Sequence, residues 1–176
     1  MIRIYRLLTR WWTAFALATS LAVLGAVHAS ETLWDLSPCN LCLKQREVFW
    51  GAVTISLIAT LWAVVSRASR GTPRVAAFLL FAVFLTGAIT AGFHSGGEMK
   101  WWSLPATCMA AKGIDLEGLT ALALGTGPVT KVAMCDTVTW RFLGLSMASW
   151  NFFLSSGLAI FSLLAAKRPK DARAPR

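Results

Sequence analysis

The chain has 176 residues, 56% of them apolar and only 14% charged, with 17 Lys+Arg against 8 Asp+Glu and a formal charge of +9. A soluble domain is about a quarter charged, and a disordered chain is poor in apolar residues, so both classes are excluded. The length suits one domain, and the basic excess must be located before it says anything about partners.

Four long apolar runs dominate the chain: Trp11–Ala29, Val48–Val65, Val75–Phe93 and Phe142–Ala166. At ~1.5 Å per residue, the shorter runs span roughly 27–29 Å as helices, about the hydrocarbon thickness of a bilayer. The expected fold is an all-α membrane protein. It is a single four-transmembrane-helix bundle, with helices near 11–29, 48–65, 75–93 and 142–166 and two large loops, about 30–47 and 94–141.

Before the first run stand Arg3, Arg6 and Arg10. Between the second and third stand Arg67, Arg70 and Arg74. After the fourth come Lys167, Arg168, Lys170, Arg173 and Arg176, with Asp171 the one acid. The two large loops carry the remaining six basic residues and seven acidic ones. The positive-inside rule therefore puts both termini and the short middle loop in the cytoplasm. The basic residues read as a topology signal and a contact for anionic lipid, in preference to a nucleic-acid site. The N-terminus also has the outline of a signal peptide, ending Val27-His28-Ala29. The longer run and the interfacial Trp11 and Trp12 favour an anchor that stays.

All four cysteines, Cys39, Cys42, Cys108 and Cys135, fall in the two large loops, on the side where disulfides persist. Three pairings are open to four cysteines. The spacing Cys39-Asn40-Leu41-Cys42 most easily closes on itself, which leaves Cys108 with Cys135. Two structural staples are one reading. A zinc site is disfavoured, because only one close-spaced pair is present. A redox dithiol is favoured, because a staple gains little from closing a two-residue gap.

Pro38 disfavours helix at Ser37, and the second apolar run follows closely, so the Cys-x-x-Cys is expected at a helix N-terminus, which favours a thiolate. Arg46 lies four residues beyond Cys42, on the same helix face; its plainer reading is a lipid-snorkelling residue.

Pro38-Cys39-Asn40-Leu41-Cys42 with Arg46, the segment Ala91-Gly92-Phe93-His94 followed by Glu98, Trp101 and Trp102, and the run from Trp140 to Asn151 together resemble the disulfide bond formation protein B family (DsbB). The last run is similar to that family's Gly-x-Ser-x-Ala-x-Trp-Asn signature. The resemblance covers about 35–170.

It implies a bacterial inner-membrane protein-dithiol:quinone oxidoreductase. Such an enzyme reoxidises a periplasmic thioredoxin-like oxidase of the DsbA type and passes the electrons to quinone, ubiquinone or menaquinone. Carried over by position, Cys108 forms the mixed disulfide with the oxidase and Cys135 is its pair. Cys39–Cys42 receives the electrons, with the Cys42 thiolate facing the quinone. Arg46 and His94 are the expected quinone-binding residues, and no metal is expected. The alternatives are a relative dedicated to one partner and a non-enzymatic scaffold with structural disulfides.

Smaller expectations complete the picture. Glu98 is expected to be solvated, and Trp101, Trp102, Trp140 and Trp150 to form an interface belt. Gly144 and Ala148 are expected to allow close helix packing, and Ser146 and Asn151 to bond between helices. The glycines of the second loop imply flexibility, and residues 114–124 read as a short surface helix.

Overall fold

The structure is a computed structural model, and residues 8–66, 72–105, 108 and 134–168 are described. The expected helix at 114–124 and the glycine-rich part of that loop lie outside the described residues.

Four helices form the body: α1 (Trp12–Trp34), α2 (Asn40–Val65), α3 (Arg74–Glu98) and α4 (Met147–Lys167). Each is long and apolar enough to cross a membrane. Three of them run beyond their apolar runs towards the cysteines. There α1 gains Ser30–Trp34, α2 gains Asn40–Glu47 and α3 gains His94–Glu98. Those extensions are polar, and polarity alone does not stop a helix; caps do.

The caps are explicit. Cys39 stands at the N-cap of α2 with extended backbone, and its sulfur accepts from the Cys42 amide at 3.3 Å. The α3 helix ends in a Schellman arrangement. Lys100 takes a left-handed φ of 61°, with Lys100 N–H on Gly97 O at 3.0 Å and Trp101 N–H on Gly96 O at 2.9 Å. Asp35, also left-handed, ends α1.

The fourth helix starts later than its apolar run. Arg141–Phe142 and Leu145–Ser146 pair as a two-stranded antiparallel hairpin around Leu143-Gly144. Both turn residues have positive φ, 50° and 81°, as a tight primed turn requires. Ser146 then caps α4, its hydroxyl accepting from Ser149 N–H at 3.1 Å. This corrects the expectation for Gly144: an added Cβ there would touch nothing, so the glycine serves the turn rather than helix packing.

Close packing is carried by α3 instead. A Cβ on Gly87 would meet Ser155 and Val48, and one on Gly92 would meet the Phe152 ring. The two helices α3 and α4 share the most extensive interface. Around Leu80, Phe84, Phe49, Ala77 and Leu158 they form the core with α2.

The α1 helix leans on α2 and meets α4 near one end. There Trp12 donates its indole N–H to Ser162 Oγ at 2.9 Å and stacks on Phe161. Large apolar side chains such as Ile58, Trp62, Phe78, Ile89 and Phe153 face outward, as a lipid-facing surface requires. The lipid-side hydroxyls of Thr54, Thr86 and Thr90 bond to their own helix carbonyls.

Candidate redox centre

The end of the bundle opposite Trp12 collects the chemistry. Cys39, Cys108 and Cys135 are buried together, with Cys42, Leu41 and Leu104 packed against them. None of the four cysteines is closed in a disulfide here, and the Cys39 and Cys42 sulfurs lie 2.8 Å apart. Cys135 is fully buried, and its sulfur interacts with both Cys39 and Cys108. The Cys135 amide also bonds the Cys108 carbonyl at 3.3 Å. Segment 134–140 is tied down by Asp136, which meets Lys100 Nζ at 2.7 Å. The lysine holds that carboxyl below its usual range.

The proton of the Cys-x-x-Cys pair rests on Cys39. Its thiol is pushed up to about 12, first by the hydrogen bond to Cys42 and then by burial. Burial likewise pushes the Cys135 thiol up.

His94 reaches this cluster from α3. Its Nε2 lies 3.1 Å from the Cys135 carbonyl and 3.7 Å from Cys39 Sγ. Its Nδ1 lies 3.0 Å from Gln45 Nε2 on α2. Cys39, Cys42 and His94 also place one ligand atom each within 4.8 Å of one another, a soft donor set built on the same sulfurs that can close a disulfide.

Glu98 is not solvated, contrary to the sequence expectation. Its side chain is 9% exposed, accepts from the Ser146 hydroxyl and stands 3.7 Å from His94 Nε2. Ser146 in turn meets Ser149, which bonds Ser95 across the α3–α4 interface at 2.7 Å. Ser146 and Asn151 both bond between helices, Asn151 to Gln45 on α2. The tryptophans Trp101, Trp102, Trp140 and Trp150 are all partly or largely exposed at this end. Trp102 donates to Phe93 O and Trp150 to Phe142 O.

Arg46 lies on the α2 face below Cys42, and its guanidinium is gripped by Glu31 of α1 through both terminal nitrogens. Glu31 and Gln45 were not singled out from the sequence. Glu31 carried one signal, an acid one turn past an apolar run. Gln45 carried none, because its role depends on which helix faces it.

Beside the sulfurs lies a cavity of about 330 Å³. Leu24, Val27, Phe49, Met147 and Leu154 supply apolar wall, and Cys42, Arg46, His94 and Glu98 supply polar groups. Arg46 Nε is buried with no acceptor among the described residues. The cavity therefore combines apolar walls with a guanidinium, an imidazole, a carboxyl and one of the close-spaced sulfurs.

The family model of disulfide bond formation protein DsbB matches residues 9–165. This chain belongs to the DsbB family. The disulfide bond formation protein B of Marinobacter nauticus is 30% identical over 177 residues, covering 93% of this chain and 96% of that protein. Its counterpart in Xylella fastidiosa strain 9a5c is 35% identical over 135 residues, 73% of each chain. That of Hahella chejuensis is 33% identical over 161 residues, 84% of this chain and 88% of that protein. Membership of the DsbB family carries an oxidoreductase role in disulfide bond formation on a four-helix membrane scaffold.

Proposed function

We propose that this chain is a protein-dithiol:quinone oxidoreductase of the bacterial inner membrane. It reoxidises a periplasmic thioredoxin-like oxidase of the DsbA type, with its cysteines on the periplasmic side. The carrying observation is Cys135, which is fully buried in one cluster with Cys108 and Cys39. The distribution of Arg and Lys over the loops supports the sidedness.

The steps follow thiol–disulfide exchange, in which a thiolate attacks one sulfur of a disulfide and the other sulfur leaves. Starting from two disulfides, the oxidase thiolate attacks Cys108 and Cys135 leaves. The Cys135 thiolate attacks Cys39, and Cys42 leaves as a thiolate into the cavity. The second oxidase thiol then attacks the sulfur that the first shares with Cys108, so the oxidase departs as a disulfide and Cys108 is freed. Cys108 attacks Cys135, re-forming their bond and releasing Cys39. The net result is a Cys39–Cys42 dithiol carrying two electrons and two protons.

A bound quinone supplies a two-electron, two-proton acceptor. Cys42 presents the donor sulfur and Cys39 keeps the proton until the disulfide closes, consistent with its pKa near 12. The Arg46 guanidinium lines the cavity, and a fixed cation there would favour negative charge developing on a ring oxygen. The apolar wall keeps water from the sulfurs.

Purified protein mixed with a reduced thioredoxin-like oxidase and quinone should consume one quinone per oxidase disulfide formed, followed by loss of quinone absorbance. Oxidase oxidation without quinone loss, or neither, would overturn the proposal.

A further inference from the structure

A line of hydrogen bonds runs from the middle of α4 to the outer cysteine loop. Ser155 Oγ donates to Asn151 Oδ1 at 3.1 Å, and Asn151 Nδ2 donates to Gln45 Oε1. Gln45 Nε2 faces His94 Nδ1 at 3.0 Å, and His94 Nε2 faces the Cys135 carbonyl at 3.1 Å. Ser155, Gln45 and His94 are each at most 7% exposed, so water does not substitute for these partners.

The carbonyl fixes the direction. A carbonyl oxygen only accepts, so His94 Nε2 must carry a hydrogen. In a neutral imidazole, Nδ1 is then bare and must receive one, which the Gln45 nitrogen supplies. Gln45 keeps that nitrogen turned to His94 because Asn151 donates to its oxygen. Reversing the line in a neutral ring would set a bare Nε2 against the carbonyl, two acceptors 3.1 Å apart. Protonating Nδ1 would require both amides to turn over in a closed site.

Among the described residues, the groups near the ring are Glu98 on its own helix, Cys39 and Cys42 at the start of α2, and Cys135 on the loop. Among the described residues, the start of α4 brings neutral Asn151, Ser149 and the capping Ser146 to the groups around the ring, and Arg46 is engaged by Glu31.

We propose that Gln45 and Asn151 are positioning residues for transfer between the two cysteine pairs: they hold His94 with its proton on Nε2, and that N–H latches the Cys135 carbonyl so that the Cys135 sulfur stays against Cys39. The step served is the attack of the Cys135 thiolate on Cys39, in which the Cys39–Cys42 bond breaks and Cys42 leaves as a thiolate. The inference rests on the redox reading above for that step, but the tautomer it requires does not depend on quinone.

The test uses full-length protein with 15N-labelled histidine, in which His94 is distinguished from His28 by a His28→Gln control. Wild type should show a neutral His94 with a protonated Nε2 and a bare Nδ1. In Gln45→Glu a carboxylate can only accept, so Nδ1 should gain a hydrogen. Asn151→Asp should do the same by turning Gln45 over, and it decides the matter if Gln45→Glu does not fold.

In parallel, formation of the Cys39–Cys135 bond is followed by rapid quench and alkylation, and quinone reduction is driven separately by a small dithiol. The first rate should fall by about tenfold more than the second, since a modest misplacement of reacting groups is costly. An unchanged tautomer in both variants, or equal losses in the two rates, would overturn the proposal. A wild type that reduces no quinone would overturn the oxidoreductase reading alone, because the tautomer readout would still stand.

Discussion

Glu31 near the end of α1 grips both terminal nitrogens of Arg46 on α2, a residue that also lines the cavity. The ion pair is mostly buried, with the two side chains 15% and 26% exposed. It fixes one arginine rotamer and joins the first two helices at the cysteine end. Glu31→Ala should raise the quinone concentration needed for half-maximal rate by about three- to tenfold, the scale of one partly screened ion pair. Oxidase exchange at Cys108 should hold its rate. Steady-state kinetics with each substrate varied in turn would show it, and an unchanged quinone dependence would remove Glu31 from the site.

Arg46→Ala should weaken quinone use more severely, by about a hundredfold, because the charge and the buried N–H go together. Arg46→Lys should recover only part, since an ammonium cannot serve Glu31 and the cavity at once with a planar fork. Stopped-flow of the two half-reactions separates this from a general defect. A wild-type quinone step in Arg46→Ala would make the residue a lipid anchor.

Cys108→Ser should abolish exchange with the oxidase yet leave Cys39–Cys42 reducible by a small dithiol that reaches the cavity edge. Equal loss with both reductants would argue against two separate stations.

The pH dependence of the reduced pair follows from Cys39. A thiol raised to about 12 stays protonated below that pH and becomes a thiolate only as pH rises through it. At pH 8, alkylation of the reduced Cys-x-x-Cys should therefore fall on Cys42. Because the hydrogen bond to Cys42 is the first cause of the rise, Cys42→Ser should bring the Cys39 titration down towards the ordinary thiol range. Alkylation rates against pH, read by mass spectrometry, test both halves. Faster labelling of Cys39 in the reduced wild type would reverse the assignment.

Two glycines should fail for different reasons. A Cβ on Gly96 would sit 2.1 Å from the Trp102 ring, so Gly96→Ala should cost about 1–3 kcal/mol by overpacking. Gly144→Ala meets no neighbour but is strained at φ 81°, costing about 1–2 kcal/mol. Restoring space with Trp102→Phe in the first variant should recover stability only if packing is the cause, as thermal unfolding would show.

The spans were legible because ~20 apolar residues in a row have few other fates, and their number survived intact. Their outer ends were not, since the polar extensions at Ser30–Trp34 and Asn40–Glu47 are governed by caps such as the Cys39 sulfur, which no hydropathy pattern contains. The cysteines stood out by spacing. Asn151 was expected to bond between helices, but its partner Gln45 did not stand out, because 106 residues separate two amides that matter only as a pair. Glu98 was misjudged for the same reason: an acid just past an apolar run looks solvated until Ser146 and His94 are found facing it.

The uneven seating of α1 has a consequence of its own. It touches α4 at Trp12 and Ser162, while nearer the cysteines the two helices become opposite walls of the cavity, through Val23, Leu24 and Val27 on one side and Asn151 and Leu154 on the other. Both walls belong to helices long and apolar enough to cross a membrane, so a route between them would run through hydrocarbon rather than water. A molecule arriving that way never leaves the lipid, so its effective abundance is counted per lipid molecule rather than per litre. Diluting the bilayer with inert lipid would slow its arrival, whereas diluting the surrounding buffer would leave it untouched.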